Sequence, residues 1–337
     1  MNIPYRTRRI MIRALVITLI VALFLSLAFA CWMIWVQRFL IYTADGEVKL
    51  DFNLPPLSGG TLAQQPDEPD VPIHFDKDGA DMQTSTELTQ MLGYYVDAEA
   101  LKDINAVKTQ ITLLEPGTAV MLDVKGIYGD FYYSSAVGEK RNSKIDPAQM
   151  DELIKFIDRA GMYMIARFPA LRDYTYGLNH VPDGVHHTSG RYLYQDDKGC
   201  YWLHPSSNGT LTFLIQIITE LKGLGFDEVV LCDFQFPDTK DTNVTGDKAQ
   251  MLSKAASTLV STCSTDKFAL SFVKTADFTL PSGRVRMYME GLDAVQAMSA
   301  AASSGIENTA VNLVFITDLY DTRFDVYSVL RPLSGAH

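Results

Sequence analysis

The sequence predicts an eight-stranded parallel β/α barrel, a (β/α)8 fold, preceded by an N-terminal transmembrane helix and a disordered linker. Three observations predict the barrel. After residue 88, short apolar runs alternate with stretches of helical periodicity. The runs are apolar on both faces, as strands are when helices cover each side of a parallel sheet. Eight such runs occupy about 245 residues, close to the ~250 of a typical closed barrel. An open doubly wound sheet is the alternative, and its usual mark is a glycine-rich phosphate loop after the first strand. Here Tyr94-Tyr95-Val96-Asp97-Ala98-Glu99 follows, without glycine.

Taken in order, the predicted strands are 93–96, 119–124, 162–168, 228–234, 268–273, 284–289, 310–316 and 324–330. Helices are expected at 98–114, 147–160, 211–224, 248–263 and 293–303. The second opens on Asp146-Pro147, a cap followed by a residue suited to the first helical position. The third closes on Gly225.

Upstream of the barrel, residues 14–36 form a charge-free apolar run, and about 20 apolar residues suffice to span a bilayer. Trp32 and Trp35 sit at its outer end, and Arg6, Arg8, Arg9 and Arg13 precede it. Positive flanks stay in the cytoplasm, so 1–13 reads as a cytoplasmic tip and 14–36 as a single-pass signal anchor. The C-terminal domain would then be extracellular, at the cell membrane. A cleaved signal ending at Ala28-Phe29-Ala30, or a lipid anchor on Cys31, is the competing reading, but the apolar run continues through Val36. Both readings export the body. Residues 37–87, rich in Pro, Gly, Gln and acids, read as an extracellular linker, and 88–337 as the barrel.

The formal net charge of −11 is unevenly placed: the first 37 residues hold +4, leaving −15 on the rest. An acidic body argues against nucleic-acid binding, which needs clustered cations. Four cysteines with no CxxC pair exclude a disulfide-built scaffold and a cysteine zinc site. His186, His187 and His204 fit no metal-ligand spacing, so no metal is expected. One span behind a thirteen-residue tip argues against a transporter or receptor.

In such a barrel, functional residues gather at the carboxyl ends of strands. Those ends carry Asp123 and Lys125, Arg167, Asp233, Glu290 and Asp318. A charge ending an apolar strand is costly unless paired or solvated in a cleft. Asp233, between VVLC and Phe234-Gln235-Phe236-Pro237, suits a nucleophile or acid/base, or else a capping aspartate. Asp123 and Lys125 are two apart and share a strand face. Arg167 is placed to pair with either, as a network gripping sugar hydroxyls or one holding two strands in register. Trp202 is a candidate for stacking on a sugar, or for packing its own loop. Cys232 and Cys263 read as core residues.

Residues 225–237, Gly-Phe-Asp-Glu-Val-Val-Leu-Cys-Asp-Phe-Gln-Phe-Pro, resemble the signature of the "putative glycoside hydrolase domain" family of bacterial envelope TIM barrels. That signature reads Gly-Phe-Asp-Glu-Ile, a short apolar stretch, then Asp-Tyr-(Ile/Val)-Arg-Phe-Pro. Leu122-Asp123-Val124-Lys125 with Gly129 resembles its Asp-x-Lys strand. Residues 161–168 with Asp173 resemble its Ile-Ala-Arg strand. Trp202-Leu203-His204-Pro205 resembles its Trp-x-Asn-Pro loop, and Glu220 matches a helical acid. The likeness runs from about 93 to 237. It implies a glycoside-hydrolase-like TIM barrel acting on an envelope or extracellular polysaccharide, in which Asp233 aligns with the family's strand-4 aspartate.

The later half departs from the family. Leu270-Ser271-Phe272-Val273-Lys274 holds no acid where the family has one, a Pro-Met-x-Tyr-Pro segment is missing, and Gln235 lies beside the family's usual Arg. Glycoside hydrolysis ordinarily uses two carboxylates. Glu290 is the best second acid; Asp123, Asp277 and Asp318 are weaker. The catalytic expectation is therefore Asp233 with Glu290, with Asp123, Lys125, Arg167 and Trp202 positioning the sugar and no cofactor required. The rival expectation is a degenerate barrel that binds glycan or an envelope protein without cleaving it.

Overall fold

The computed structural model describes residues 40–42, 48–50, 87–138, 140–141 and 144–333. The chain divides into two compact units, Met1–Ala80 and Asp81–His337. In the first, Leu40–Tyr42 pairs antiparallel with Val48–Leu50. Most of the linker expected over 37–87 lies outside the described residues. The expected anchor at 14–36 lies outside the described residues. Among the described residues, no helix is long and apolar enough to cross a membrane.

In the second unit the barrel strands are β1 (Leu92–Val96), β2 (Ala119–Asp123), β3 (Tyr163–Pro169), β4 (Glu228–Cys232), β5 (Ala269–Val273), β6 (Met287–Glu290), β7 (Leu313–Ile316) and β8 (Ser328–Pro332). Every neighbouring pair is parallel, and β8 closes on β1 through Leu330↔Gly93 and Pro332↔Tyr95. The closed ring leaves no free sheet edge. Alternation along each strand sorts the side chains. Met121, Ile165, Val230, Tyr288, Val314 and Leu330 fill the barrel interior. Leu122, Phe168, Leu231, Phe272 and Phe315 pack outward in the second, larger cluster. Gly93 lets β1 approach β2: a Cβ there would lie 2.1 Å from the Ala119 carbonyl oxygen.

The helices are α1 (Ile104–Ile111), α2 (Pro147–Arg159), α3 (Tyr174–Asn179), α4 (Asn208–Gly223), α5 (Lys248–Cys263), α6 (Ala294–Ser303) and α7 (Thr309–Asn312). Aspartates set several starts. Asp146 accepts from the Ala148 amide with Pro147 at the first position, Asp247 accepts from Gln250, and Asp293 forms a capping box with Gln296. These side chains satisfy amides that the first helical turn leaves free.

The structure corrects some boundaries. The helix expected over 98–114 breaks into a turn at Ala100–Lys102 and α1, because Asp103 leaves helical geometry to cap the Ala106 amide. The strand expected from 310 starts at Leu313, after α7. The helical ring is also incomplete. No helix joins β5 to β6, and β7 reaches β8 through only the short turn Thr322–Phe324. The β5–β6 segment holds Pro281 and Gly283 at φ +134°. It covers the barrel with Phe278, 5.4 Å from both Phe272 and Phe234.

The amino-terminal end of the barrel is closed by a buried polar plug. Glu228 receives the Arg286 guanidinium at 2.5 Å, and neither side chain is more than 2% exposed. Tyr163, Tyr288 and Ser271 hydroxyls also donate to Glu228. Arg286 further donates to the Thr89 and Val311 carbonyls. Every charge in the plug is thus partnered, the condition for tolerating it in a dry core.

Candidate active site

The opposite, carboxyl-terminal end gathers the charged strand ends. Continuing the inward alternation of Ala119 and Met121 brings Asp123 to the mouth, and the register sets Asp123 beside Arg167 of β3. Arg167 Nη1 donates to Asp123 Oδ1 at 3.0 Å and to Tyr95 Oη at 2.7 Å. Tyr95 Oη in turn donates to Asp123 Oδ2 at 2.7 Å. Arg167 Nη2 reaches Glu290 Oε1 at 2.8 Å and Oε2 at 3.0 Å. One guanidinium therefore holds two carboxylates, from β2 and β6, while its Cζ lies 5.1 Å from the centroid of the Tyr95 ring. Glu290 keeps a third of its side chain exposed. Burial raises the Asp123 carboxyl above its ordinary range, against the opposing pull of Arg167 and the Tyr95 hydrogen bond.

Asp233 follows the last residue of β4. Its φ of +48° is one of two positive values at non-glycine residues among those described. Aspartate tolerates this region better than most residues, and such strain concentrates at functional sites. Phe234, fully buried 4.9 Å from Phe272, anchors the turn. The Asp233 carboxyl itself is partly buried and has no hydrogen bond or ion pair among the described residues. Burial pushes it above the usual carboxylate range, and the positive charges of Arg172, Arg167, Lys198 and Lys125 oppose the shift without cancelling it. Cys232, immediately before it, packs at the interior. Burial pushes its thiol up to about 12; Arg167 opposes, while Asp233, Asp123 and Glu290 add to the shift.

The other acids in the matched motifs are all partnered. Asp173 holds Lys125 at 2.7 Å. Glu220 accepts from Tyr133, Ser135 and the Ala136 amide. Asp227 accepts from the Met164 amide, and Glu228 sits in the plug. Among them Asp233 alone is strained and unpaired.

Lys125 and Trp202 are placed differently from the sugar-contact expectation. Lys125 is 1% exposed, its amine turned to Asp173 rather than to Asp123. Trp202 is 5% exposed; its indole donates to Asp196, and the Arg172 guanidinium lies 5.5 Å from its ring. Trp202 packs the long loop after β3, because a ring with a polar edge finds both a core and a partner there. Asp277 is almost fully exposed and pairs with Lys274. Asp318 lines a hollow of about 390 Å³ with Tyr95, Gly291, Thr317, Leu319 and Pro332. Sequence reasoning missed Tyr95, which looked like part of an apolar run. Its hydroxyl at an inward strand end was the available signal. Among the described residues, no three His, Cys, Asp or Glu side chains are grouped to hold a metal ion.

Fold and rim together define a parallel β/α barrel with a charged carboxyl-terminal mouth. The chain belongs to the family described as "putative glycosyl hydrolase domain", which matches residues 93–290. No curated protein matches the chain. Among solved structures it is similar to a hypothetical protein of Ruminiclostridium thermocellum, at 18% identity and TM-score 0.46, over 53% of this chain and 96% of that one. It is also similar to the GH36 α-galactosidase AgaA of Geobacillus stearothermophilus, at 13% identity and TM-score 0.49, over 73% of this chain and 39% of that one. The α-galactosidase of Lactobacillus brevis is similar at 11% identity and TM-score 0.49, over 74% and 38%. The chain spans about two fifths of the length of these galactosidases.

Proposed function

We propose that the barrel is a glycoside hydrolase, anchored in the cell membrane by residues 14–36, acting on an envelope or extracellular polysaccharide. One observation carries the reading: Asp233 is a strained, unpartnered carboxyl with a raised pKa, at a barrel mouth where Arg167 holds Asp123 and Glu290. A carboxyl whose pKa is raised by burial is better suited to donate a proton to the leaving glycosidic oxygen than one held low by a cation. Glu290, the more exposed of the two carboxylates on Arg167, is the partner that attacks the anomeric carbon or activates water. Asp123 and Tyr95 fix the guanidinium, and the guanidinium fixes Glu290. The family membership supports this chemistry; the substrate is left at the level of a polysaccharide.

A second reading, binding without cleavage, is favoured by one fact: both Asp123 and Glu290 are already engaged by Arg167. One experiment separates the two. The full chain, in mild detergent, is incubated with a panel of bacterial wall and capsular polysaccharides and assayed for reducing ends. Hydrolysis that falls by roughly 100-fold or more in Asp233→Asn, the range for general acid–base groups, supports the hydrolase. Undiminished hydrolysis in that variant removes Asp233 from the role, and binding without hydrolysis favours the second reading.

A further inference from the structure

The loop after β3 carries a second surface that the proposed chemistry does not use. Most of its spine is buried: Trp202, Leu193, Leu203 and Val185 are at most 7% exposed. Isolated bridges Arg172–Trp202, Gly184–Leu203, His186–Leu193 and Gln195–Tyr201 fold it into a small ordered sheet. The loop after β4 braces it through His187–Thr242 and through the Thr188 amide donating to the Asp241 carbonyl. On this rigid support lies a hollow of about 630 Å³. Tyr192, Tyr194, Tyr201, Arg191, Gln195 and Asp241 are among its lining. Tyr192 is 56% exposed, and Leu178 and Val181, also lining the hollow, are 49% and 45% exposed. Tyr192 stacks on His187 at 4.7 Å, and Tyr201 on Tyr174 at 5.4 Å, so the rings are held in place before any ligand arrives.

Exposed apolar surface gathered in one hollow marks a binding site more often than scattered single residues do. The chemistry of this one selects among ligands. Tyrosine rings offer flat apolar faces with polar edges, and Gln195, Arg191 and Asp241 add donors and acceptors around them. A pyranose has the matching character, an apolar C–H face and a hydroxylated edge. Arg191 and Asp241 are opposite in sign, which leaves the lining without net charge and suits an uncharged sugar. We infer that this hollow is an accessory glycan-binding platform that holds an uncharged stretch of the polysaccharide while Asp233 and Glu290 act on another part of the chain. The inference rests on the hydrolase reading and adds that the substrate is polymeric and neutral where the platform grips it.

The test is binding by full-length protein carrying Asp233→Asn, so that hydrolysis does not interfere, in affinity gels cast with a soluble β-glucan, an α-glucan, a galactomannan, or alginate as the charged comparison. Tyr192→Ala, Tyr192→Leu and Tyr192→Trp are added in turn; the side chain is exposed, and circular dichroism checks each fold. The expected result is retention by at least one neutral polymer, roughly tenfold weaker in Tyr192→Ala and Tyr192→Leu, and kept in Tyr192→Trp. Equal binding by every variant, preference for alginate, or full binding by Tyr192→Leu overturns the platform, the last because apolar area rather than a ring would then suffice. Failure here with polysaccharide hydrolysis intact in the wild type strikes the platform alone. Binding as expected with hydrolysis absent strikes the hydrolase reading and leaves the platform as a binding site.

Discussion

Replacing Arg286 with Met tests whether the amino-terminal plug is the coupled unit its geometry describes. Arg286→Met removes the guanidinium from Glu228 Oε2 and from the Thr89 and Val311 carbonyls. Glu228 would remain fully buried, with only the Tyr163, Tyr288 and Ser271 hydroxyls as donors. Breaking a buried pair from one side costs about 3–5 kcal/mol, mainly because the surviving charge is stranded. With a urea m-value of about 2 kcal/mol/M, the midpoint should fall by about 2 M. Adding Glu228→Gln to Arg286→Met removes the stranded charge and should restore a substantial part of the loss. Urea unfolding followed by circular dichroism on the wild type, the single and the double variant measures both. A single variant within about 1 kcal/mol of wild type, or a double variant no more stable than the single, would show that the plug is not a coupled unit.

Three further outcomes follow from the geometry. Because burial raises the Asp233 pKa in the fold, its contribution to stability is complete below the ordinary carboxylate value, about 3.9, and is lost as pH rises through the raised folded value. Asp233→Asn should therefore match or exceed wild-type Tm at pH 7 while abolishing activity, and a lower Tm would show the carboxylate to be structural. Lys125→Met strands Asp173 inside the loop and should cost about 3–5 kcal/mol in chemical denaturation; a loss of activity without a loss of stability would instead make Lys125 a substrate contact. Gly93→Ala forces a Cβ to 2.1 Å from the Ala119 carbonyl and should destabilise the β1–β2 seam by about 1–3 kcal/mol in thermal melts, whereas an unchanged Tm would mean that the seam is not tightly set.

Much of the barrel is legible in the sequence because its strands are short, apolar on both faces and bounded by strong punctuation. Asp146-Pro147 and Asp293 announce helix starts that the structure keeps. The missing helix between β5 and β6 is also visible, since 274–283 has no helical period and contains Pro281. Less legible is the side to which a charge turns once its strand ends. Asp123 and Lys125 share a parity, but β2 stops at Asp123 and Lys125 bridges to Phe131, so parity no longer sets direction. Trp202 is ambiguous because a loop can build its own core, and this one does. Glu228 was readable as a motif letter and not as a buried plug, because its partner Arg286 lies 58 positions along the chain. The family signature thus mixes two kinds of acid, those that hold the fold and the one left unpaired.

We propose a catalytic pairing of Asp233 with Glu290 across the mouth. It is tested most directly by measuring kcat and KM for wild type, Asp233→Asn and Glu290→Gln on whichever polysaccharide the wild type cleaves. A catalytic pair predicts that kcat falls by about 100-fold or more in each variant, with KM changed far less and the fold intact. Wild-type kcat in either variant would contradict it.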